Sequence, residues 1–260
     1  MAMISACSVP RTGVGLTETA APRDAAEDLI ETLKCANSEL KSYKGIGKLT
    51  LDYDSNLQSS RIAWIGSTPG MLRVEILGPA GGPPLASIAS DGDWFYIVAH
   101  QEGRFIKKRS NQASLKRLIH LPIDPLDIYD LLAGRIPIHP YGTARLIASE
   151  SAAASDADGG ENASQRILVL KPKWRQHPSQ KIYFEKDRDR VHRIEFFDRT
   201  GKLLYRADIQ KIENVDGYQI PMTIIFSDDR SSARIAIDRF WTGAAVLPSV
   251  FQLAPPSAPK

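Results

Sequence analysis

The stretch from Met71 to Val98, MLRVEILGPAGGPPLASIASDGDWFYIV, constrains the fold more than any other part of the chain. It reads as successive strands broken by a Gly/Pro turn and by Asp91-Gly92. Leu72, Val74 and Ile76 alternate with Arg73 and Glu75, the period of a sheet with one apolar and one wet face. In the last strand Trp94, Tyr96 and Val98 point one way while Phe95, Ile97 and Ala99 point the other. A strand that is apolar on both sides has to be covered twice, by a helix, a second sheet or a bound apolar molecule.

The flanking sequence repeats the same theme. Strands are predicted over 46–53, 61–66, 71–77, 85–90, 94–99 and 104–108, joined by turn-rich connections at Asn56, at Ser67 to Gly70, and at Glu102-Gly103. This is the signature of an antiparallel meander. It is interrupted by two short amphipathic helices, 114–120 and 125–133, the second with Pro125 in its first turn and Gly134 as a stop. Helices inserted midway through an all-β chain read as a cover or lid. Strands resume over 143–149, 166–171, 181–185, 191–197, 203–212, 222–227 and 233–240, with hairpins at Asp198 to Gly201 and Asp228 to Ser231. Upstream, 23–40 follows a helical period with Ala25, Ala26, Leu29, Leu33, Ala36 and Leu40 on one stripe. The doubly apolar strand is the expected partner of that stripe.

With 260 residues, 43% of them hydrophobic, the chain can bury a sizeable core, and a single domain is expected over 23–253. The low-complexity segment 151–164 reads as a mobile loop inside it, and 254–260 as a disordered Pro/Ala tail. A net charge of +3 argues against a nucleic-acid partner, and Lys107-Lys108-Arg109 reads as a solvated face. No run reaches the roughly 18 apolar residues that cross a bilayer. The five histidines, at 100, 120, 139, 177 and 192, show no metal-ligand spacing, so no metal and no cofactor is expected. There is no GxSxG elbow, Walker loop or dinucleotide fingerprint, and the acidic pairs Asp91 with Asp93 and Asp228 with Asp229 sit in turns; an enzyme is not expected.

Of the two cysteines, Cys35 falls on the polar side of the predicted helix. Cys7 ends the tetrapeptide Ile4-Ser5-Ala6-Cys7, which resembles a bacterial lipobox: an aliphatic residue, two small ones, then the cysteine that becomes acylated. The segment Ser8 to Pro22 that follows has no hydrophobic periodicity and suits a tether between membrane and domain, so 1–22 is read as lipobox remnant and tether. Only six residues precede Cys7, too few for a charged region and an apolar core, and an ordinary disordered N-terminus is the alternative.

The long antiparallel sheet, N-terminal amphipathic helix, mid-chain helices and tethered cysteine together resemble the bacterial lipoprotein-localisation family, with the LolA/LolB-like fold. The segment Leu72 to Gly81, LRVEILGPAG, is similar to the strand and loop of LolB-type outer-membrane receptors, and Pro122 to Pro137 is similar to the lid region of envelope lipoproteins of this fold. The resemblance implies a mainly β fold with an α lid: an unclosed antiparallel β-barrel whose concave face is covered by the N-terminal helix and the two mid-chain helices. It also implies a periplasm-facing outer-membrane protein, monomeric, anchored through acylated Cys7. Such a protein takes the acyl chains of lipoproteins or phospholipids, with a periplasmic carrier protein as a further partner. In LolB-type receptors an apolar residue after the loop proline inserts into the membrane; here that loop is Pro79, Ala80, Gly81, Pro83, Pro84 and Leu85.

Trp64, Leu72, Val74, Ile76, Trp94, Tyr96, Ile128 and Leu132 are expected to line the pocket. Burying acyl chain is worth about 0.8 kcal/mol per methylene, so two or three chains supply ample driving force. The competing reading is a structural or sensory module of the same fold that binds a protein partner. A hollow that holds a chain favours carriage, and an interior filled by its own side chains favours the module.

Overall fold

The computed structural model describes residues 19–20, 23–54, 56–79, 83–110, 115–150, 164–185 and 189–256. Cys7, Ala80, Gly81 and the segment 151–163 lie outside the described residues, as does 257–260 of the expected tail.

The strands form one antiparallel sheet. A first meander runs through β2 (Ser42–Tyr53), β3 (Asn56–Ser67), β4 (Met71–Ile76), β5 (Ala86–Ser90), β6 (Trp94–Ala99) and β7 (Arg104–Arg109). A second runs through β8 (Thr143–Glu150), β9 (Ser164–Lys171), β10 (Gln180–Phe184), β11 (Val191–Phe197), β12 (Leu203–Val215), β13 (Tyr218–Ser227) and β14 (Ser231–Thr242). β14 pairs with β2 and welds the two together, while the short β1 (Thr19–Ala20) pairs with β8 at the far edge. The order is therefore β1-β8-β9-β10-β11-β12-β13-β14-β2-β3-β4-β5-β6-β7. Its ends, β1 and β7, do not pair, so the barrel is unclosed and mainly β as expected.

This order dictates where the helices go. The chain leaves one edge at β7 and re-enters near the other at β8, so the connection must cross the sheet. It does so through α2 (Lys116–Ile119) and α3 (Pro125–Leu132). Leu115, Ile119, Ile128, Leu131 and Leu132 from this crossing join a single buried cluster with inward-facing residues from most of the strands. A sheet this wide shares one core only by curling around it.

Two strand pairs show how the sequence permits that curl. Tyr43 stands opposite Gly66, and Gly45 opposite Trp64, in the β2·β3 register. A Cβ on Gly66 would lie 2.3 Å from Tyr43 Cζ, and one on Gly45 2.2 Å from Trp64 Cζ2. Each aromatic ring thus lies over a glycine of the neighbouring strand, and the absent side chain is what lets the ring lie down.

Several sequence expectations shift. The N-terminal helix α1 (Arg23–Cys35) stops well before Leu40, because Asn37 takes a left-handed φ of 52° and turns the chain. Its apolar residues Ala26, Ile30 and Leu33 enter the core, but the strand it touches is β8, not the doubly apolar β6. Strands β2 and β3 begin earlier than expected; in β2 neither glycine turns the chain, since Gly45 lies under the Trp64 ring and Gly47 against the Ala236 carbonyl of β14. No described helix is long and apolar enough to cross a membrane.

Candidate functional site

Between the sheet and the crossing helices lies a cavity of about 60 Å³. β4 supplies Leu72, Val74 and Ile76, β3 supplies Ile62 and Trp64, and α3 closes it with Pro125, Ile128 and Leu132. Leu115 and Ile119 add the α2 side, and Leu49, Ile88, Phe95, Phe226, Ala233 and Ile235 complete an apolar wall. Ser90 is its one polar lining residue. Trp64 is 97% withdrawn from solvent (3% exposed), and its Nε1 has no hydrogen-bond partner among the described residues.

Six of the eight residues expected in the pocket are therefore brought together: Trp64, Leu72, Val74, Ile76, Ile128 and Leu132. Trp94 and Tyr96 are not. The register sets Phe95 beside Ser90 and Ile97 beside Ile88, on the cavity side, which turns Trp94 and Tyr96 to the outer face of β6. There Trp94 lies between the charged ends of Lys107 and Arg109, 4.4 and 4.1 Å from its ring centre. Tyr96 donates to Asp91 Oδ2 at 2.8 Å. The alternation of β6 was legible, but which side faced inward was set by pairing with β5. The cations opposite in β7 were a usable signal: Trp94 pairs with Arg109 and Tyr96 with Lys107.

The outer face is covered by the C-terminal segment. The 3-10 turn Pro248–Phe251 packs on β4, Phe251 is fully buried, and Arg73 Nη1 donates to the Val250 carbonyl at 3.0 Å. Beneath it Ser87 Oγ donates to Glu75 and lies 2.7 Å from His100 Nε2. The carboxylate here meets the serine instead of orienting the imidazole, and Ser87 is buried, so this is a polar seal and not a nucleophile with its base.

The expected insertion loop is only partly described. Pro79 and Pro83 are exposed, whereas Pro84 and Leu85 are half-buried and Leu85 is tied to the sheet through Ile76 and His100.

The crossing helix α3 is held by buried polar bonds that sequence reasoning missed. Asp127, 2% exposed, accepts from Tyr205 Oη of β12 and lies 2.8 Å from His139 Nε2. Burial disfavours a charged imidazole, but the hydrogen bond and charge of Asp127, with Asp124 and Asp130 nearby, outweigh it and raise the His139 pKa. Tyr43 Oη donates to the Tyr129 carbonyl at 2.7 Å. At the C-terminal end Asn37 Nδ2 donates to Ala133 and Gln219 carbonyls, both at 2.9 Å, and Arg135 pairs with Asp130 at 2.9 Å. Asp124 caps the N-terminus through the Leu126 N–H. The cavity-facing residues of α2, Leu115 and Ile119, are apolar, and its neighbour His120 stacks on Tyr53 with ring centres 4.1 Å apart. The i, i+4 apolar pattern of α3 was readable; an acidic residue on its inner face reads as solvent-facing unless its distant partners are known.

A second concavity, of about 540 Å³ and open, lies on the outer face between Ile46, Ala63, Ile65, Trp241 and Val250. A third, of about 360 Å³, lies on the outer face of β8 and β9.

Comparisons with known proteins agree with this architecture. A family model described only as an uncharacterized protein matches residues 146–253. No curated protein is significantly similar in sequence. Among solved structures, a LolA superfamily protein from Nitrosomonas europaea is similar at 14% identity and a TM-score of 0.58, over 88% of this chain and 97% of that one. A DUF1329 family protein from Desulfovibrio piger is similar at 12% identity and a TM-score of 0.59, over 89% and 97%. A Vibrio parahaemolyticus domain assigned provisionally to outer-membrane lipoprotein sorting is similar at 11% identity and a TM-score of 0.61, over 88% and 97%. At these identities the likeness is one of fold, and the chain has a LolA-like fold.

Proposed function

We propose that this protein is a cell-envelope binder of acyl chains, taking those of a lipoprotein or phospholipid into the space between the sheet and the crossing helices. The observation that carries the reading is the apolar cavity stoppered by α2 and α3, on a fold shared with LolA superfamily structures. Anchoring through acylated Cys7 at the outer membrane, receipt from a periplasmic carrier, and delivery through the exposed prolines of the β4–β5 turn belong to the same proposal.

The magnitude of the cavity decides which state is described. An engineered cavity of about 150 Å³ holds one benzene, so about 60 Å³ does not hold an acyl chain. On this proposal the structure corresponds to the closed form, and loading requires the stopper to move. In this reading α3, pinned by buried polar bonds, stays on the sheet and the one-turn α2 moves, withdrawing Leu115 and Ile119 and breaking the stack of His120 on Tyr53. An ester or amide carbonyl at the head of a chain would satisfy the unpartnered Trp64 Nε1.

The small cavity also favours a second reading, an envelope module that binds a protein partner on the wider outer groove around Trp241. Titration with a fluorescent fatty acid separates the two. Saturable uptake, weakened when Val74→Trp fills the hollow, supports chain binding; no uptake with the fold intact supports the module.

A further inference from the structure

The outer face of β8 and β9 carries a surface of different chemistry. Its groove is walled by Arg145, Lys171, Lys173 and Arg175 over a floor that includes Ile147 and Val169, with no acidic residue in the lining. None of the four cations forms an ion pair with a described residue. The turn that follows β9 is closed by the Arg175 N–H on the Pro172 carbonyl and holds Trp174 outward, 89% exposed, with Lys173 Nζ 5.4 Å from its ring centre.

Neighbouring charges reinforce the sign. Lys181 pairs with Val169 across the β9·β10 ladder and continues the basic row. His177 packs by Gly201 in the next hairpin, which carries Arg199 and Lys202. Two acids lie nearby and keep their charge: Glu195, which stands opposite Lys181 and accepts from Tyr183, and Asp198, which accepts from the Thr200 and Lys202 N–H groups within its own turn; neither lines the groove.

An exposed tryptophan whose two chain neighbours, Lys173 and Arg175, line a groove of cations without ion pairs matches neither a core nor an ordinary solvated face. Tryptophan prefers the head-group level of a bilayer, and basic clusters beside it are drawn to anionic lipid. We propose that this face docks on the surface of an anionic membrane, with Trp174 in the head-group layer and Arg145, Lys171, Lys173 and Arg175 on lipid phosphates. The short β1 lies along the same strand, with Thr19 opposite Ala148 and Ala20 opposite Ile147, so the chain comes in from the Glu150 end of β8 and the basic turn lies at its Thr143 end. β8 and β9 are not neighbours of β4 and β5 in the sheet, so this surface is built from strands other than those that carry the expected insertion loop. It stands without chain uptake, because its readout is the lipid head group.

The test uses the full chain with Cys7→Ser, which removes acylation, in flotation with vesicles of phosphatidylcholine alone or mixed with phosphatidylglycerol. Binding is expected to the mixed vesicles only, to fall with salt, and to weaken about fivefold for each cation changed to Gln among the four. Trp174→Ala is expected to weaken it as well, and brominated lipid to quench emission in the parent but much less in that variant. Circular dichroism confirms that the variants fold. Equal binding to both vesicle types, no binding, binding unchanged in the variants, or capture of inorganic phosphate without vesicle binding overturns the proposal.

Discussion

Asp127 of the crossing helix and Tyr205 of β12 are hydrogen-bonded in the middle of the core, though 78 residues separate them in the chain. This bond fixes α3 against the sheet at a point where neither partner meets water, and stacking of Tyr205 on Phe196, with ring centres 4.6 Å apart, holds the phenol in place. Tyr205→Phe removes one donor to a buried carboxylate and is expected to cost about 1.5 to 3 kcal/mol. Asp127→Ala leaves both Tyr205 and His139 unpaired and is expected to cost more, about 3 to 5 kcal/mol. Urea unfolding of the two variants gives the order; equal losses would show that His139 adds nothing.

His139 makes the same contact sensitive to pH. Its folded pKa is raised above the ordinary 6.5, so the stability it contributes is complete below that value and is lost as pH rises through the folded pKa. Burial likewise raises Asp124 and Asp130 above 3.8, and their shares are lost at more acidic pH, as each passes its own raised value. Thermal unfolding from about pH 5 to about pH 9 is therefore expected to show a falling Tm that flattens in His139→Gln. An equal slope in both proteins would place the titration elsewhere.

Much of this arrangement was legible. Period-two alternation placed the strands, the proline and glycine bracketing of α3 gave its bounds within a residue, and six cavity residues followed from the inner faces of β3, β4 and α3. What alternation does not carry is which face turns inward when both are apolar. Trp94 and Tyr96 were assigned to the pocket for that reason, and only the pairing of β6 with β5 and β7 turns them out. The helical period runs on to Leu40, whereas Asn37 breaks off the helix and directs its side chain to the Ala133 and Gln219 carbonyls. Asp127 was invisible as a tie, since a buried acid is recognised by partners that lie far along the chain.

Trp94 and Trp64 provide a paired control for the two faces. Trp94→Ala removes stacking with Lys107 and Arg109 on the surface, worth about 0.5 to 1 kcal/mol each, and is expected to leave fatty-acid uptake unchanged. Trp64→Ala empties a buried site and is expected to cost about 3 to 5 kcal/mol and to alter uptake. Fluorescence titration of both variants checks the assignment; loss of uptake on changing Trp94 would return that residue to the pocket.

The glycine under Tyr43 links the sheet to the stopper. Gly66→Ala would set a methyl 2.3 Å from the Tyr43 ring and force it to move, stretching its hydrogen bond to the Tyr129 carbonyl on α3. A loss of about 1 to 3 kcal/mol is expected, with faster amide exchange along α3 than in a variant of equal stability changed elsewhere. Uniform exchange in the two would mean that Tyr43 supports the strand and not the helix.

The central claim is that α2 gives way to let an acyl chain into a hollow that is closed in this structure. Linking the end of α2 to β2 by a disulfide tests it directly: His120→Cys paired with Tyr53→Cys, where the two rings stack in this structure, in a chain with Cys7 and Cys35 changed to Ser, bond formation checked by thiol titration and fatty-acid uptake measured before and after reduction. The account predicts uptake that is absent when oxidised and restored by dithiothreitol; equal uptake in both states, or none in the reduced protein while the unmodified chain binds none either, would contradict it.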